Sequence, residues 1–145
     1  MKEAPFVSPY QNSLELPEKT VTMTAKRILL IDDEASILTV ARIGLKRAGW
    51  SVITAASGKE GIAKAEIEQP DAIVLDVMMP EMDGLETLKQ IQNNSQIKHI
   101  PVIFLTAKVQ KADRRRFYAS GIKGFITKPF DPTTLASQIS GFLDW

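Results

Sequence analysis

The 145-residue sequence contains no cysteine and only one histidine. The lack of cysteine excludes disulfides, thiolate metal sites and a cysteine nucleophile, and it agrees with a reducing compartment. No apolar run approaches the ~20 residues that span a bilayer, and the first residues lack the apolar stretch of a secretory signal. We therefore expect a cytoplasmic protein that does not contact a membrane.

The chain also has almost no net charge. Eighteen basic residues against seventeen acidic ones leave a formal charge of +1 at pH 7, which argues against a chain-wide surface for nucleic acid or anionic lipid. We therefore expect no direct DNA binding, and any charged site must be local. Since 44% of the 145 residues are hydrophobic, the composition supports one core, with no room for an output domain.

The patterning divides the chain at about residue 25. Residues 1–25 carry three prolines among polar residues and no sustained period, which predicts a mobile tail. Residues 26–145 alternate short, nearly continuous apolar runs with helical patterns, as in parallel strands joined by crossover helices. The predicted strands are 28–31, 52–55, 72–75, 102–105 and 124–126. The predicted fold is a doubly wound α/β domain of the (βα)5 type.

Three helix boundaries are marked in the sequence. Gly49 follows an apolar helical stripe and is expected to end the first helix in the left-handed conformation. Ser57 and Glu60 form a capping box that predicts the start of the second helix. Asp131 followed by Pro132 predicts the start of the fifth helix.

Acidic residues directly follow two of the predicted strands. Asp32 and Asp33 follow the first strand, and Asp76 follows the third. Ligands of open α/β sheets bind at the carboxyl ends of the strands, where the winding direction switches, so these carboxylates are expected to converge. Two such charges ~4 Å apart repel by roughly 4 kcal/mol at an effective dielectric near 20. Oxygen ligands without nearby histidine or cysteine favour Mg²⁺ or a similar hard ion such as Mn²⁺.

The same edge is predicted to carry groups that can hold an anion. Thr106 ends the fourth strand with a hydroxyl, and Lys128 follows the fifth with an ammonium. An incoming phosphoryl group would then meet metal, lysine and hydroxyl together. A carboxylate can itself be the nucleophile and form an aspartyl phosphate. Asp76 is the better candidate because it is single and central, whereas Asp32 and Asp33 are paired.

Four motifs of the chain resemble those of response-regulator receiver domains of the CheY-like type. They are Ile31-Asp32-Asp33-Glu34, then Val74-Leu75-Asp76-Val77-Met78-Met79-Pro80 with Met82-Asp83-Gly84, then Leu105-Thr106-Ala107, and Lys128-Pro129-Phe130. The match covers residues 26–145. It implies a flavodoxin-like sheet of order 2-1-3-4-5 and a stand-alone response regulator of a two-component system. A histidine kinase or histidine phosphotransfer protein would act upstream, and a protein effector downstream.

The resemblance also implies roles for the acidic residues. Asp76 would be the phosphoacceptor. Asp33, Asp76 and the backbone carbonyl of Met78 would bind Mg²⁺, and Asp32 would act on the ion mainly through water.

For the remaining site residues, the resemblance implies phosphoryl binding and a switch. Thr106 and Lys128 would hold the phosphoryl oxygens, and Phe125 would turn inward when Thr106 moves. Buried aromatics are more often core than switch residues, so the role of Phe125 rests on the resemblance. The positions that would tune water access are Met78, Ala107 and Lys108.

A basic run marks the predicted fourth helix: Lys111, Arg114, Arg115 and Arg116. A solvated face is the ordinary explanation of such a run. The sharper hypothesis is a partner-binding surface around the fourth helix, fifth strand and fifth helix, used by an effector or a phosphorylation-dependent homodimer. His99 is predicted to lie in a loop without a ligand role, and Gly84 to be a turn residue.

Two alternative functions remain open. Haloacid-dehalogenase-like phosphatases also combine a strand-end aspartyl nucleophile with Thr and Lys, but they need an acid two residues later, where Met78 stands here. We therefore expect no enzyme activity beyond the domain's own phosphorylation and dephosphorylation. The second alternative is a receiver that serves only as a constitutive scaffold. The isomer of the Lys128–Pro129 bond is left open.

Overall fold

The structure is a computed structural model that describes residues 26–107 and 110–145. Within them, five strands alternate with five helices. The strands are β1 (Arg27–Ile31), β2 (Ser51–Ala55), β3 (Ala72–Asp76), β4 (Val102–Thr106) and β5 (Gly124–Thr127). The helices are α1 (Ala35–Arg47), α2 (Gly58–Glu68), α3 (Gly84–Gln92), α4 (Lys111–Ala119) and α5 (Leu135–Leu143). The (βα)5 prediction is confirmed, while the predicted tail and Lys108 lie outside the described residues.

All five strands form one parallel sheet. Its order is β2-β1-β3-β4-β5, which confirms the predicted order. The winding direction reverses between β1 and β3, which are neighbours although they are not consecutive. Ile31 pairs with Leu75 in this ladder, so Asp32 and Asp76 stand next to each other at the carboxyl edge. The topology alone therefore brings the first and third strands' acids together.

Two apolar clusters lie on the two faces of the sheet. Leu29 and Ile31 of β1 belong to one cluster, Ile28 and Leu30 to the other, as strand alternation requires. Helices α2, α3 and α4 cover the first face, and α1 and α5 cover the second. Every residue of β3 and β4 is buried, so helices cover these two central strands on both faces of the sheet. Within residues 26–107 and 110–145, no helix is long and apolar enough to cross a membrane.

The end of α1 and the start of α2 lie close to the predicted positions. Gly49 follows α1 with a φ of 89°, the left-handed conformation that glycine tolerates best. Ser57 Oγ accepts a hydrogen bond from the Glu60 amide at 3.1 Å. The reciprocal half of the predicted capping box is wrong, because Glu60 Oε1 accepts from the Ala56 amide at 2.8 Å instead.

The predicted start of the fifth helix at Asp131 is wrong. Asp131 Oδ1 accepts hydrogen bonds from the Thr133 amide at 2.9 Å and the Thr133 hydroxyl at 2.7 Å. These bonds close a turn ahead of the helix, and α5 begins only at Leu135 after an N-cap, Thr134, whose side chain caps nothing. Asp131 therefore satisfies local donors of the turn, a competing use of a capping acid.

Gly84 is not the turn residue that was predicted. It is the first residue of α3, and its amide donates to the Val77 carbonyl at 2.8 Å. A Cβ built at this position would lie 2.5 Å from the Asp76 carbonyl oxygen and 2.6 Å from the Val77 Cα. Glycine is therefore required by the close approach of α3 to the end of β3.

Candidate functional site

Three carboxylates meet at the carboxyl ends of β1 and β3. Asp32 and Asp33 directly follow β1, and Asp76 is the last residue of β3. One oxygen from each lies within 4.8 Å of the others. Asp32 and Asp76 are only 1% and 2% exposed, whereas Asp33 is exposed. The structure thus brings together the three acids that the sequence assigned to this edge.

Lys128 reaches these acids from the end of β5. Its Nζ lies 2.8 Å from Asp32 Oδ2 and 3.4 Å from Asp76 Oδ1. A third carboxylate, Glu34, places Oε1 at 3.2 Å from the same Nζ. Only 14% of the lysine side chain is exposed, so its charge interacts mainly with these carboxylates.

Thr106 ends β4 next to the acidic cluster and is 3% exposed. The ladder pairs Asp76 with Leu105, so Thr106 is one residue beyond the level of Asp76 on the neighbouring strand. The Lys128 amide donates to the Thr106 carbonyl at 2.7 Å, which joins the ends of β4 and β5. The Lys128–Pro129 bond is cis. A hydroxyl and an ammonium are therefore provided by adjacent strands, as predicted from the sequence.

The acidic cluster fits a hard divalent cation. Among the described residues, Asp32 Oδ2 is buried without a hydrogen-bond partner. Although Lys128 Nζ is only 2.8 Å away, the contact is an ion pair whose direction does not satisfy hydrogen-bond geometry. A buried carboxylate oxygen left in this way is costly unless a cation uses its lone pair. Carboxylate oxygens are also the ligands that Mg²⁺ and Mn²⁺ prefer.

The pKa shifts within the cluster follow from the same excess of negative charge. Burial, followed by the charge of Asp32, raises the pKa of Asp76 to about 6, although Lys128 acts in the opposite direction. Burial lowers the pKa of Lys128, but the negative charges of Asp32 and Asp76 and the hydrogen bond to Glu34 outweigh it, so this pKa lies above its ordinary value. Lys128 therefore stays protonated, and one ammonium does not fully compensate the buried acids.

A cavity of about 260 Å³ opens over the cluster. Its lining residues are Asp33, Glu34, Asp76, Met78, Ala107 and Lys128. Met78 lies at the rim with 73% of its surface exposed, and its amide donates to Asp76 Oδ1 at 3.3 Å. A more apolar cleft of about 290 Å³ lies between α1 and the segment before α5, but no carboxylate lines it. The smaller cavity is therefore the candidate site.

Phe125 connects the end of the sheet to the basic helix α4. The residue is half-buried on β5, and its ring centroid lies 5.8 Å from that of Tyr118. The Arg114 guanidinium carbon lies 5.5 Å from the same centroid, within cation–π range. The sequence indicated the basic run and Phe125 separately, and the structure brings them into contact.

Two residues of the site were missed by sequence reasoning. Glu34 was quoted within its motif but received no role, although its position beside the Asp32-Asp33 pair was a usable signal. Tyr118 stands four residues after Arg114, so both share one face of α4. His99, by contrast, lies between α3 and β4, at the opposite edge of the sheet from the carboxylates.

Comparison with known proteins agrees with this geometry. Residues 28–140 match the family model for the response regulator receiver domain. The solved chemotaxis response regulator CheY4 of Vibrio cholerae is 36% identical, with a TM-score of 0.76, and the alignment covers 81% of this chain and 98% of that one. The N-terminal domain of a response regulator receiver protein from Methanoculleus marisnigri JR1 is 37% identical, with a TM-score of 0.68 and coverage of 83% and 98%.

Curated relatives are longer proteins. The alkaline phosphatase synthesis transcriptional regulatory protein PhoP of Bacillus subtilis is 42% identical over 118 residues, which are 81% of this chain and 48% of PhoP. The DNA-binding dual master transcriptional regulator RpaA of Synechocystis is 37% identical, over 81% of this chain and 48% of RpaA. This chain spans about half the length of these curated relatives.

Proposed function

The chain belongs to the response regulator receiver domains of two-component systems, and from this premise we propose that Asp76 accepts a phosphoryl group in a Mg²⁺-dependent reaction. The observation that carries the proposal is the cluster itself. Asp32, Asp33 and Asp76 converge within 4.8 Å, and Lys128 lies 3.4 Å from Asp76 Oδ1. A buried nucleophilic carboxylate is thereby combined with a cation site and a fixed ammonium.

In the proposed reaction, a carboxylate oxygen of Asp76 attacks the phosphorus of the donor. The new phosphorus–oxygen bond forms as the bond to the leaving group breaks, and the electron pair remains on that group. The leaving atom is the imidazole nitrogen of a histidine kinase or histidine phosphotransfer protein, or the oxygen of a small acyl phosphate. Asp76 must be ionised to attack, so its raised pKa makes charge compensation a requirement of the chemistry.

Other residues of the chain bind and orient the phosphoryl group. Lys128 supplies positive charge from one side, and Thr106 supplies a hydroxyl donor from the end of β4. Asp33, Asp76 and the Met78 carbonyl would hold Mg²⁺, with Asp32 acting on it through water. When bound, the ion neutralises charge on the transferring oxygens. Met78 and Ala107, which line the cavity, would control the access of hydrolytic water.

The proposed output is a change at the surface around α4, β5 and α5. When Thr106 moves toward the phosphoryl group, the ring of Phe125 is free to turn inward and leave Tyr118 and Arg114. This is a shift between two existing surface states. A protein effector or a second copy of the chain would recognise one of them. We expect no direct DNA binding by this domain, although two of its longer relatives are transcriptional regulators.

The proposal also states that Asp76 accepts one phosphoryl group per chain and does not turn over a phosphate-ester substrate. Met78 occupies the position two residues after the nucleophile, where a phosphatase of the haloacid-dehalogenase type keeps its general acid. Its side chain is 73% exposed and has no proton to give. The domain would therefore catalyse only its own phosphorylation and dephosphorylation.

The direct test uses acetyl phosphate and Mg²⁺, with intact-protein mass spectrometry as the readout. We expect a gain of about 80 Da, the mass of one phosphoryl group, which does not form when EDTA is present during the reaction and is absent in Asp76→Asn. Asp83→Asn is the matched control, because Asp83 caps α3 outside the cluster and should leave the adduct intact. A wild-type protein without the adduct would support the constitutive scaffold instead.

The switch is tested with beryllofluoride, a phosphoryl mimic. Sedimentation or pull-down of the wild type should change on treatment, whereas that of Asp76→Asn should not. Identical behaviour of the two proteins, in a preparation that forms the 80 Da adduct, would contradict the proposed output surface and leave phosphorylation untouched.

A further inference from the structure

Glu34 is a third carboxylate on Lys128, and the proposed chemistry gives it no part. Its Oε1 accepts a hydrogen bond from Lys128 Nζ at 3.2 Å. Its side chain is 59% exposed, compared with 2% for Asp32 and 3% for Asp76. The ammonium of Lys128 is therefore shared between two buried acids and one acid at the rim of the cavity.

The local structure directs Glu34 toward the lysine. Its amide donates to Asp32 Oδ1 at 2.9 Å, and its carbonyl accepts from the Ile37 amide at 3.1 Å in the first turn of α1. Glu34 is the N-cap of α1, yet its side chain makes no capping hydrogen bond. Glutamate is not among the residues that commonly cap a helix start, so its carboxylate is available for Lys128.

Lys128 and a divalent cation compete for the same acids. Asp32 and Asp76 form ion pairs with Lys128, and both belong to the cluster that could hold a metal. Two cations at one pair of carboxylates repel each other. A contact that shares the ammonium with a third acid therefore favours metal binding. Its loss lets the ammonium pair more closely with Asp32 and Asp76, whose oxygens already lie 2.8 Å and 3.4 Å from it.

We propose that Glu34 is a positioning residue that draws part of the charge of Lys128 away from the two buried acids and thereby raises the affinity of the acidic cluster for a divalent cation. The inference rests on the proposed function only in taking this cluster as the metal site. It is tested by metal binding without any phosphodonor. A failure of the phosphorylation assay and a failure of this inference are therefore distinguishable.

The decisive variant is Glu34→Asp, which keeps the negative charge but shortens the side chain, so that it no longer reaches Lys128. Aspartate is also a favourable N-cap for α1, so the fold should be retained, as a thermal melt would show. We expect Mn²⁺ affinity, measured by electron paramagnetic resonance, and Mg²⁺ affinity, measured by calorimetry, to fall about two- to fivefold, the range for an exposed ion pair. Unchanged affinity in Glu34→Asp would overturn the proposal.

A second background separates positioning from simple charge. In Lys128→Met the competing ammonium is gone, so Glu34→Asp should no longer alter Mn²⁺ or Mg²⁺ affinity. A loss of affinity that persists in this background would overturn the proposal, because Glu34 would then act directly on the ion. Glu81→Gln is the charge control, since Glu81 is exposed on the segment between β3 and α3. Both Glu34→Gln and Glu81→Gln remove one negative charge. Glu81→Gln should lower the affinity for Mn²⁺ and Mg²⁺ less than Glu34→Gln does.

Discussion

The two sides of the site differ in charge and in burial. β1 and β3 supply the aspartates, and all five residues of β3 are buried. β4 and β5 supply the hydroxyl, the ammonium and the aromatic ring, and only two of the four residues of β5 are buried. Close packing restrains a strand that is covered on both faces, whereas an edge strand with exposed side chains can adjust. The acceptor side is thus held by the core. On the responding side β4 is equally buried, and only the edge strand β5 is open to the solvent.

The largest effect is expected from Lys128→Met, because Lys128 connects the two sides of the site. Lys128→Met removes the ammonium that lies 2.8 Å from Asp32 and 3.4 Å from Asp76. We expect the rate of phosphorylation by acetyl phosphate to fall about 100-fold, as when one fixed donor to a developing charge is lost. Lys123→Met removes an exposed lysine just before β5 and should leave the rate within about twofold. Comparable losses in both variants would show that net charge matters rather than the position of Lys128.

The second prediction concerns the acceptor side alone. A carboxyl pKa raised from 3.8 to about 6 in the folded state means that the folded protein binds this proton more tightly than the unfolded chain does. Stability is therefore lost as pH rises from about 4 to about 6, by roughly 3 kcal/mol in full. In EDTA at pH 7, Asp76→Asn should melt about 5–10 °C higher than the wild type.

The pH dependence of that difference provides the check. The gap in melting temperature between Asp76→Asn and the wild type should shrink as pH falls from about 6 toward 4, where the carboxyl of the folded wild type is protonated. Mg²⁺ at pH 7 should raise the wild-type melting temperature more than that of the variant. Asp144→Asn, at an exposed position, should show neither effect. A difference in melting temperature that stays constant with pH would show that the raised pKa of Asp76 is not its cause.

The smallest expected effect concerns the responding side. Arg114→Gln removes the guanidinium 5.5 Å from the Phe125 ring, a contact worth about 0.5–1 kcal/mol at an exposed site. The population of inward rings should rise about two- to fivefold before phosphorylation. Fluorine NMR of 4-fluorophenylalanine at position 125 measures it directly. Arg115→Gln should not change the spectrum. If both variants give the same spectrum as the wild type, Arg114 does not influence the orientation of the Phe125 ring.

Much of the fold was predictable because central parallel strands are hydrophobic on both faces. The continuous runs of β3 and β4 indicated this directly, and their burial is complete. Helix starts were less predictable, since a capping acid also serves a turn. Asp131 shows this, because its carboxylate satisfies Thr133 rather than α5.

The sequence by itself determined which chemical groups stand at the ends of the strands, because an apolar run followed by an acid, a threonine or a lysine can be read along the chain. Only the tertiary structure decided how those groups share their charges. Lys128 and Glu34 are 94 positions apart and meet at 3.2 Å, and Gly84 is needed because α3 approaches the end of β3. Such contacts depend on where crossovers place distant residues, so no local pattern contains them.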